Sequence, residues 1–157
     1  MALAAGGSAL LVSGCGGRRA RIVAGDPQDV RILAGALEVE RAQAVLYEVG
    51  LGLTGGRVAA LARHILAQER AHAAAIEEAM RELGAKPAGP RDAIEYRRGI
   101  PHSADAWYQH AIQAEQQWSA GYAALIPKLT NPRLRSTFGS LMTTEAEHAV
   151  ALDVTER

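Results

Sequence analysis

One ordered set of side chains occurs twice along the chain: a glutamate, a tyrosine seven residues on, then Glu-x-x-His. The first copy is Glu40, Tyr47, Glu69 and His72, and the second is Glu115, Tyr122, Glu145 and His148. Glu69 follows Glu40 by 29 positions, and Glu145 follows Glu115 by 30. On a helix, residues three apart share a face at about 4.5 Å along the axis, so each Glu-x-x-His can converge on one point. The neighbours fix which face that is. Ile65, Leu66, Ala73 and Ile76 surround Glu69, while Leu141, Met142, Ala149 and Leu152 surround Glu145. Glu40 lies between Leu37 and Ala44, with Tyr47 on the same side. The acidic groups are embedded in apolar stripes, so the chain must turn four carboxylates inward. Inward carboxylates repel one another and resist losing water, and they need a counter-charge. No Lys or Arg lies in register on these stripes. Two dications would balance four glutamates with both histidines neutral. Oxygen and imidazole donors suit iron, manganese or zinc, and the lack of thiolates disfavours copper(I) and iron–sulfur clusters.

The stripes belong to four helical segments. Asp26-Pro27 combines a cap residue with proline at the first helical position, and the periodicity then runs to Gly50 and Gly52. Thr54-Gly55-Gly56 opens a second segment that Gly84 ends, with Pro87 beyond it. Residues 85–102 carry Pro87, Gly89, Pro90, Gly99 and Pro101 and read as a connector. Ser103 caps a third segment through Trp107, Trp118 and Tyr122 to a stop or kink at Pro127. Asn131-Pro132 starts a fourth, carried by Leu134, Phe138, Leu141, Met142, Val150 and Leu152. The first and third joints are short, which makes two antiparallel hairpins. The middle connector could cover up to ~59 Å extended, whereas a helix of about 24 residues is ~36 Å long. It therefore reads as a crossover that starts the second hairpin at the far end of the first.

Composition agrees. Hydrophobic content is 48% but only 4% of residues are aromatic, and alanine dominates the apolar positions, which favours helix over strand. Lys plus Arg equals Asp plus Glu at 17 each, which argues against nucleic acid as an electrostatic partner. The chain has one cysteine, Cys15, in Val12-Ser13-Gly14-Cys15 after an apolar run from Ala2. That arrangement resembles the lipobox of bacterial lipoproteins, whose cysteine is lipidated, although no Lys or Arg precedes the run. Residues 1–25 are accordingly read as a signal and linker, and residues 26–157 as one folded domain.

The segments ILAGALEVERAQAVLYEVGL, ILAQERAHAAAIEEAMRELGAKP, AIQAEQQWSAGYAALIPKL and LRSTFGSLMTTEAEHAVAL carry a family resemblance covering about residues 30–153. They resemble the ferritin-like superfamily of di-iron carboxylate proteins, in particular its small ferritin-like domain branch. That family's site takes one Glu from each of two helices and Glu-x-x-His from each of the others. The resemblance implies an all-α, ferritin-like four-helix bundle holding two metal ions, iron first and manganese as the alternative. It implies Glu40 and Glu115 as terminal ligands, Glu69 and Glu145 as bridging ligands, and His72 and His148 as one ligand to each metal. Gln68 and Thr144 stand where many relatives carry an acidic residue that orients the opposite histidine, a departure that lowers the expected metal affinity. There is no Cys-x-x-Cys module of the kind that passes electrons in rubrerythrins.

The activity so implied is Fe(II) oxidation or reduction of O2 or peroxide, with an electron donor that the sequence does not identify. No catalytic residue is assigned beyond the metal ligands. A lipid-anchored position at the outer face of the cytoplasmic membrane accompanies the Cys15 reading, and a homodimer is allowed. The competing reading is a non-catalytic or stress-related bundle whose site is structural or sequesters metal. Glu38 and Glu147 lie two positions from Glu40 and Glu145, about 160° away around the helix, and read as solvated charges. His64, His102 and His110 read as surface residues. Tyr47 and Tyr122 fit buried packing with a bonded hydroxyl, or contact with the ligands. Trp107 and Trp118 read as packing residues, and Gln43, one turn after Glu40, is within reach of the site.

Overall fold

Three of the four long helices begin behind a side-chain cap that the sequence marks, and the second begins at its glycine pair without one. In the computed structural model, which describes residues 25–156, α1 spans Pro27–Leu53, and the Asp26 carboxylate accepts from the Gln28 amide at 2.7 Å. Gly50 and Gly52 do not stop it. The helix runs to Leu53, where the amide and hydroxyl of Thr54 both donate to the Gly50 carbonyl, at 3.0 and 2.8 Å. Helix α2 spans Gly56–Glu82, and its exit bends through Gly84 at φ 74°, which a glycine adopts without strain. After a connector that holds one short helix, α3 (Ala93–Arg97), helix α4 spans Ala104–Leu125 behind a Ser103 cap. Pro127 then tightens the chain into a 3-10 turn over Ile126–Lys128. Helix α5, Pro132–Glu156, starts with the Asn131 side chain accepting from the Arg133 amide at 2.9 Å.

Helix α1 packs along α2, and α4 along α5, as two hairpins set against each other in a four-helix bundle. The connector leaves α2 at the end where Gly25 bonds the Leu83 carbonyl at 3.0 Å. It reaches α4 where Trp107 donates its indole N–H to the Leu46 carbonyl at 2.8 Å, near the other end of α1. The α3 turn, which the glycine and proline content of the connector hides, is capped by Asp92. Glu38 fastens this strap to α1 by bonding Arg91 at 2.8 Å and the Tyr96 hydroxyl at 2.9 Å. Arg41 adds a bond to the Ala88 carbonyl at 2.9 Å.

Two apolar clusters fill the bundle. Leu46, Tyr47, Ile65, Leu66, Trp107, Tyr108 and Leu152 pack toward one end. Leu33, Leu37, Ile76, Met80, Tyr122, Phe138 and Leu141 pack toward the other. A fully buried Leu, Ile or Phe contributes about 1.5–3 kcal/mol, so these clusters supply the drive to fold. Val150 departs from the sequence reading. It is 62% exposed and outside both clusters, because the inward face of α5 passes through His148, Ala149 and Leu152 instead. At one end a buried carboxylate, Asp29, ties α1 to the start of α5. It accepts from the Thr130 amide and hydroxyl at 2.8 Å each and from the Asn131 amide at 3.0 Å. Burial works against its charge, but these hydrogen bonds prevail and hold its pKa below the usual carboxylate value. Cys15 and the lipobox reading lie outside the described residues.

Candidate metal centre

Between the two apolar clusters the four long helices each turn one glutamate inward. Glu40 from α1, Glu69 from α2, Glu115 from α4 and Glu145 from α5 are each 0% exposed. His72 and His148, one turn after Glu69 and Glu145, close the ring, their imidazoles 6.4 Å apart and nearly parallel. His72 Nδ1 lies 3.2 Å from Glu40 Oε2, 3.7 Å from Glu69 Oε2 and 3.3 Å from Glu145 Oε1. His148 Nδ1 lies 3.1 Å from Glu69 Oε1, 3.4 Å from Glu115 Oε2 and 3.9 Å from Glu145 Oε2.

These atoms form two quartets, each with its donor atoms within 4.8 Å of one another. One joins Glu40, Glu69, His72 and Glu145; the other joins Glu69, Glu115, Glu145 and His148. Glu69 and Glu145 appear in both, each turning one oxygen to either quartet. Each quartet draws three residues from one hairpin and one from the other. The fit to metal rests on what these atoms lack. Glu40 Oε2, Glu115 Oε2, both oxygens of Glu69 and of Glu145, and Nδ1 of both histidines are buried without a hydrogen-bond partner. An unmet buried polar atom costs about 1–3 kcal/mol, more when charged. A cluster that gathers this many at one point could hold metal ions. No arginine or lysine among the described residues reaches the cluster.

The outer oxygens of the end glutamates are partnered, and across the hairpins. The Tyr47 hydroxyl on α1 donates to Glu115 Oε1 on α4, and the Tyr122 hydroxyl on α4 donates to Glu40 Oε1 on α1. Both rings are buried and held edge-on, Tyr47 against Trp107 at 5.8 Å and Tyr122 against Phe138 at 5.1 Å. The two roles open to these tyrosines in the sequence are thus combined. Burial and the charge on Glu115 push the Tyr47 hydroxyl well above its usual range, so it stays a donor.

The histidines differ. His148 Nε2 lies 2.9 Å from Gln68 Oε1, so the amide accepts the Nε2 proton, and in the neutral ring Nδ1 turns its lone pair toward the quartet. The Thr144 hydroxyl instead bonds its own helix, at the Ser140 carbonyl, and no described residue takes up the outer nitrogen of His72. The His72 side chain is 14% exposed against 5% for His148.

Protons do part of the counter-charging in the metal-free cluster. Burial, with the nearby charges of Glu69 and Glu145, pushes Glu40 up to about 9. Burial likewise lifts Glu115 to about 8. For the histidines burial opposes a charge, but the glutamate carboxylates facing them at 3.1–3.4 Å outweigh it, raising His72 to about 12 and His148 to about 9.

Other residues singled out in the sequence fall as follows. Glu38 bonds the connector and Arg41, and Glu147 is exposed. His64 and His102 are exposed, whereas His110 is half-buried at the wall of a cavity beside α1 and α4. Gln43, 1% exposed, and Trp118 line the same cavity, and neither the Gln43 amide nor the Trp118 indole nitrogen has a partner.

A family model described as a ferritin-like domain matches residues 28–155. No curated protein matches the chain. Among solved structures, the chain is similar to a conserved hypothetical protein, rv2844, from Mycobacterium tuberculosis. The TM-score is 0.72 at 19% identity, over 82% of this chain and 96% of that one. At that identity the likeness speaks to the fold.

Proposed function

The chain belongs to the ferritin-like domain family, and from that premise we propose that it binds two metal ions, iron foremost, and carries out redox chemistry with them. The reaction class is Fe(II) oxidation, or reduction of O2 or peroxide, with manganese as the alternative metal. The observation that carries this reading is the pair of overlapping quartets of unpartnered donor atoms, joined through Glu69 and Glu145. Iron held there would supply electrons at a site flanked by an apolar cluster on either side.

The chain's own residues have separable tasks in this reading. Glu69 and Glu145 lie between the two positions and are assigned as bridging ligands, with Glu40 and Glu115 as terminal ones. Tyr122 and Tyr47 fix the terminal carboxylates by bonding their outer oxygens, which aims Oε2 inward. Gln68 sets the tautomer of His148. The first test is anaerobic Fe(II) titration followed by air. Two ions bound per chain and oxygen consumed thereafter support the proposal; a chain that takes up no metal defeats it.

A binding-only bundle is favoured by one observation, the lack of an acidic partner behind either histidine, which weakens metal affinity. Stoichiometric metal with no consumption of O2 or peroxide would select that reading. The exported, lipid-anchored placement through Cys15 is part of the proposal. Mass spectrometry of the protein from its native membrane checks it, since an unmodified Cys15 removes the anchor.

A further inference from the structure

Outside the six residues of the cluster, the unpartnered buried side-chain atoms among the described residues belong to Gln43 and Trp118. Both line one cavity of about 230 Å³. The coincidence has a basis in the repeat. Gln43 stands one turn after Glu40 and Trp118 one turn after Glu115, so both side chains lie one helical turn from a cluster glutamate, while none of the six cluster residues lines the cavity itself. Ala114 and His110 on α4 and Leu46 on α1 form part of its wall, with Arg98 and Gly99 of the connector at its exposed rim. That volume accommodates several molecules of solvent size, each filling roughly 30 Å³.

We propose that this cavity is the binding and access site for a peroxide, held by the Gln43 amide and the Trp118 indole N–H. An amide offers N–H donors and a carbonyl acceptor, and the indole adds one donor. Hydrogen peroxide carries two O–H donors and two acceptor oxygens, so it can satisfy all of them at once. Dioxygen has no proton to donate and leaves the Gln43 carbonyl unmet. A small anion would face that carbonyl oxygen without a proton to offer it. Of the two oxidants in the redox reading, the cavity's groups therefore match peroxide and not dioxygen, and water, which has the same donors and acceptor, is the occupant that peroxide displaces. The delivery step rests on the redox reading above, whereas the binding itself does not.

The chain has two tryptophans, which supply both probe and control. Trp107 already donates to the Leu46 carbonyl at 2.8 Å, so its indole signal should be indifferent to added ligand. Hydrogen peroxide is titrated into the full chain, freed of redox-active metal by a chelator, while the two indole 15N–1H signals are followed. A saturable movement of the Trp118 signal alone, lost in Gln43→Leu, is expected. If that variant does not fold, Gln43→Met serves in the same comparison. Three results overturn the proposal. The first is a Trp118 signal that moves no more than that of Trp107. The second is a shift in Gln43→Leu without peroxide while peroxide has no effect on the native chain, which means that amide and indole pair with each other. The third is movement with formate but not with peroxide, making Arg98 and His110 the recognition groups of an anion pocket. Saturable binding beside an iron-loaded protein inert to peroxide would instead sink the redox reading and leave the cavity assignment standing.

Discussion

Gln68 and Thr144 occupy equivalent places in the two Glu-x-x-His segments, yet only Gln68 steadies a histidine across the bundle. Removing that bond should therefore act on one metal position. Gln68→Leu is expected to weaken the His148 quartet about 10–100-fold and the His72 quartet little, as loss of an outer partner does at other metal sites. Thr144→Val, which removes only a bond to the α5 backbone, should change neither. Stepwise Co(II) titration followed by absorbance resolves the two positions; equal weakening of both would contradict the assignment. A second expectation concerns protons. Glu40, Glu115, His72 and His148 all hold protons more tightly in the folded, metal-free chain than the ordinary 4.5 and 6.5 allow. The folded state binds the extra protons, so its stability falls as pH rises. The carboxyl groups act between about 4.5 and 8–9. The histidine contribution is complete below 6.5 and is lost as pH passes about 9 for His148 and about 12 for His72. Metal competes with those protons, so its affinity rises with pH. Mn(II) should consequently raise Tm more at pH 8 than at pH 6 in scanning calorimetry; a larger rise at pH 6 would contradict this. The gathering of the six cluster residues was legible because the spacing repeats and the charges interrupt apolar stripes. The unpartnered state of Gln43 and Trp118 was not, since nothing in a sequence shows that an amide will be buried without a partner.

At the scale of the element, caps, prolines and glycines marked the long helices because they act locally, through the backbone conformation and the few amides and carbonyls at a terminus. Two features depend on distant contacts and escaped such reading: the α3 turn in the connector and the passage of α1 through Gly50 and Gly52. Gly50 explains itself in three dimensions, as a Cβ there would overlap the indole ring of Trp107. The ring of Trp107 needs that space. Gly50→Ala should lower stability by about 1–3 kcal/mol through overpacking. A Cβ added at Gly139 on α5 would meet nothing within 4 Å, so Gly139→Ala should raise stability by roughly 0.5–1 kcal/mol. Urea unfolding measures both, and matching effects of one sign would refute the contrast.

For the molecule as a whole, the division of labour between hairpins decides how it holds together. Neither hairpin contains a full quartet, and the terminal glutamate of each is bonded by a tyrosine of the other. The two hairpins meet through the cluster, the apolar packing and the strap that links them in sequence. The strap's exposed stretch near Gly89 and Pro90 lies away from the six inward residues. Severing it there would turn one molecule into two complementary shells, each bearing half a lock. Their reunion would become a bimolecular event governed by dilution, and dications, by joining what the tether no longer joins, would act as the rivets.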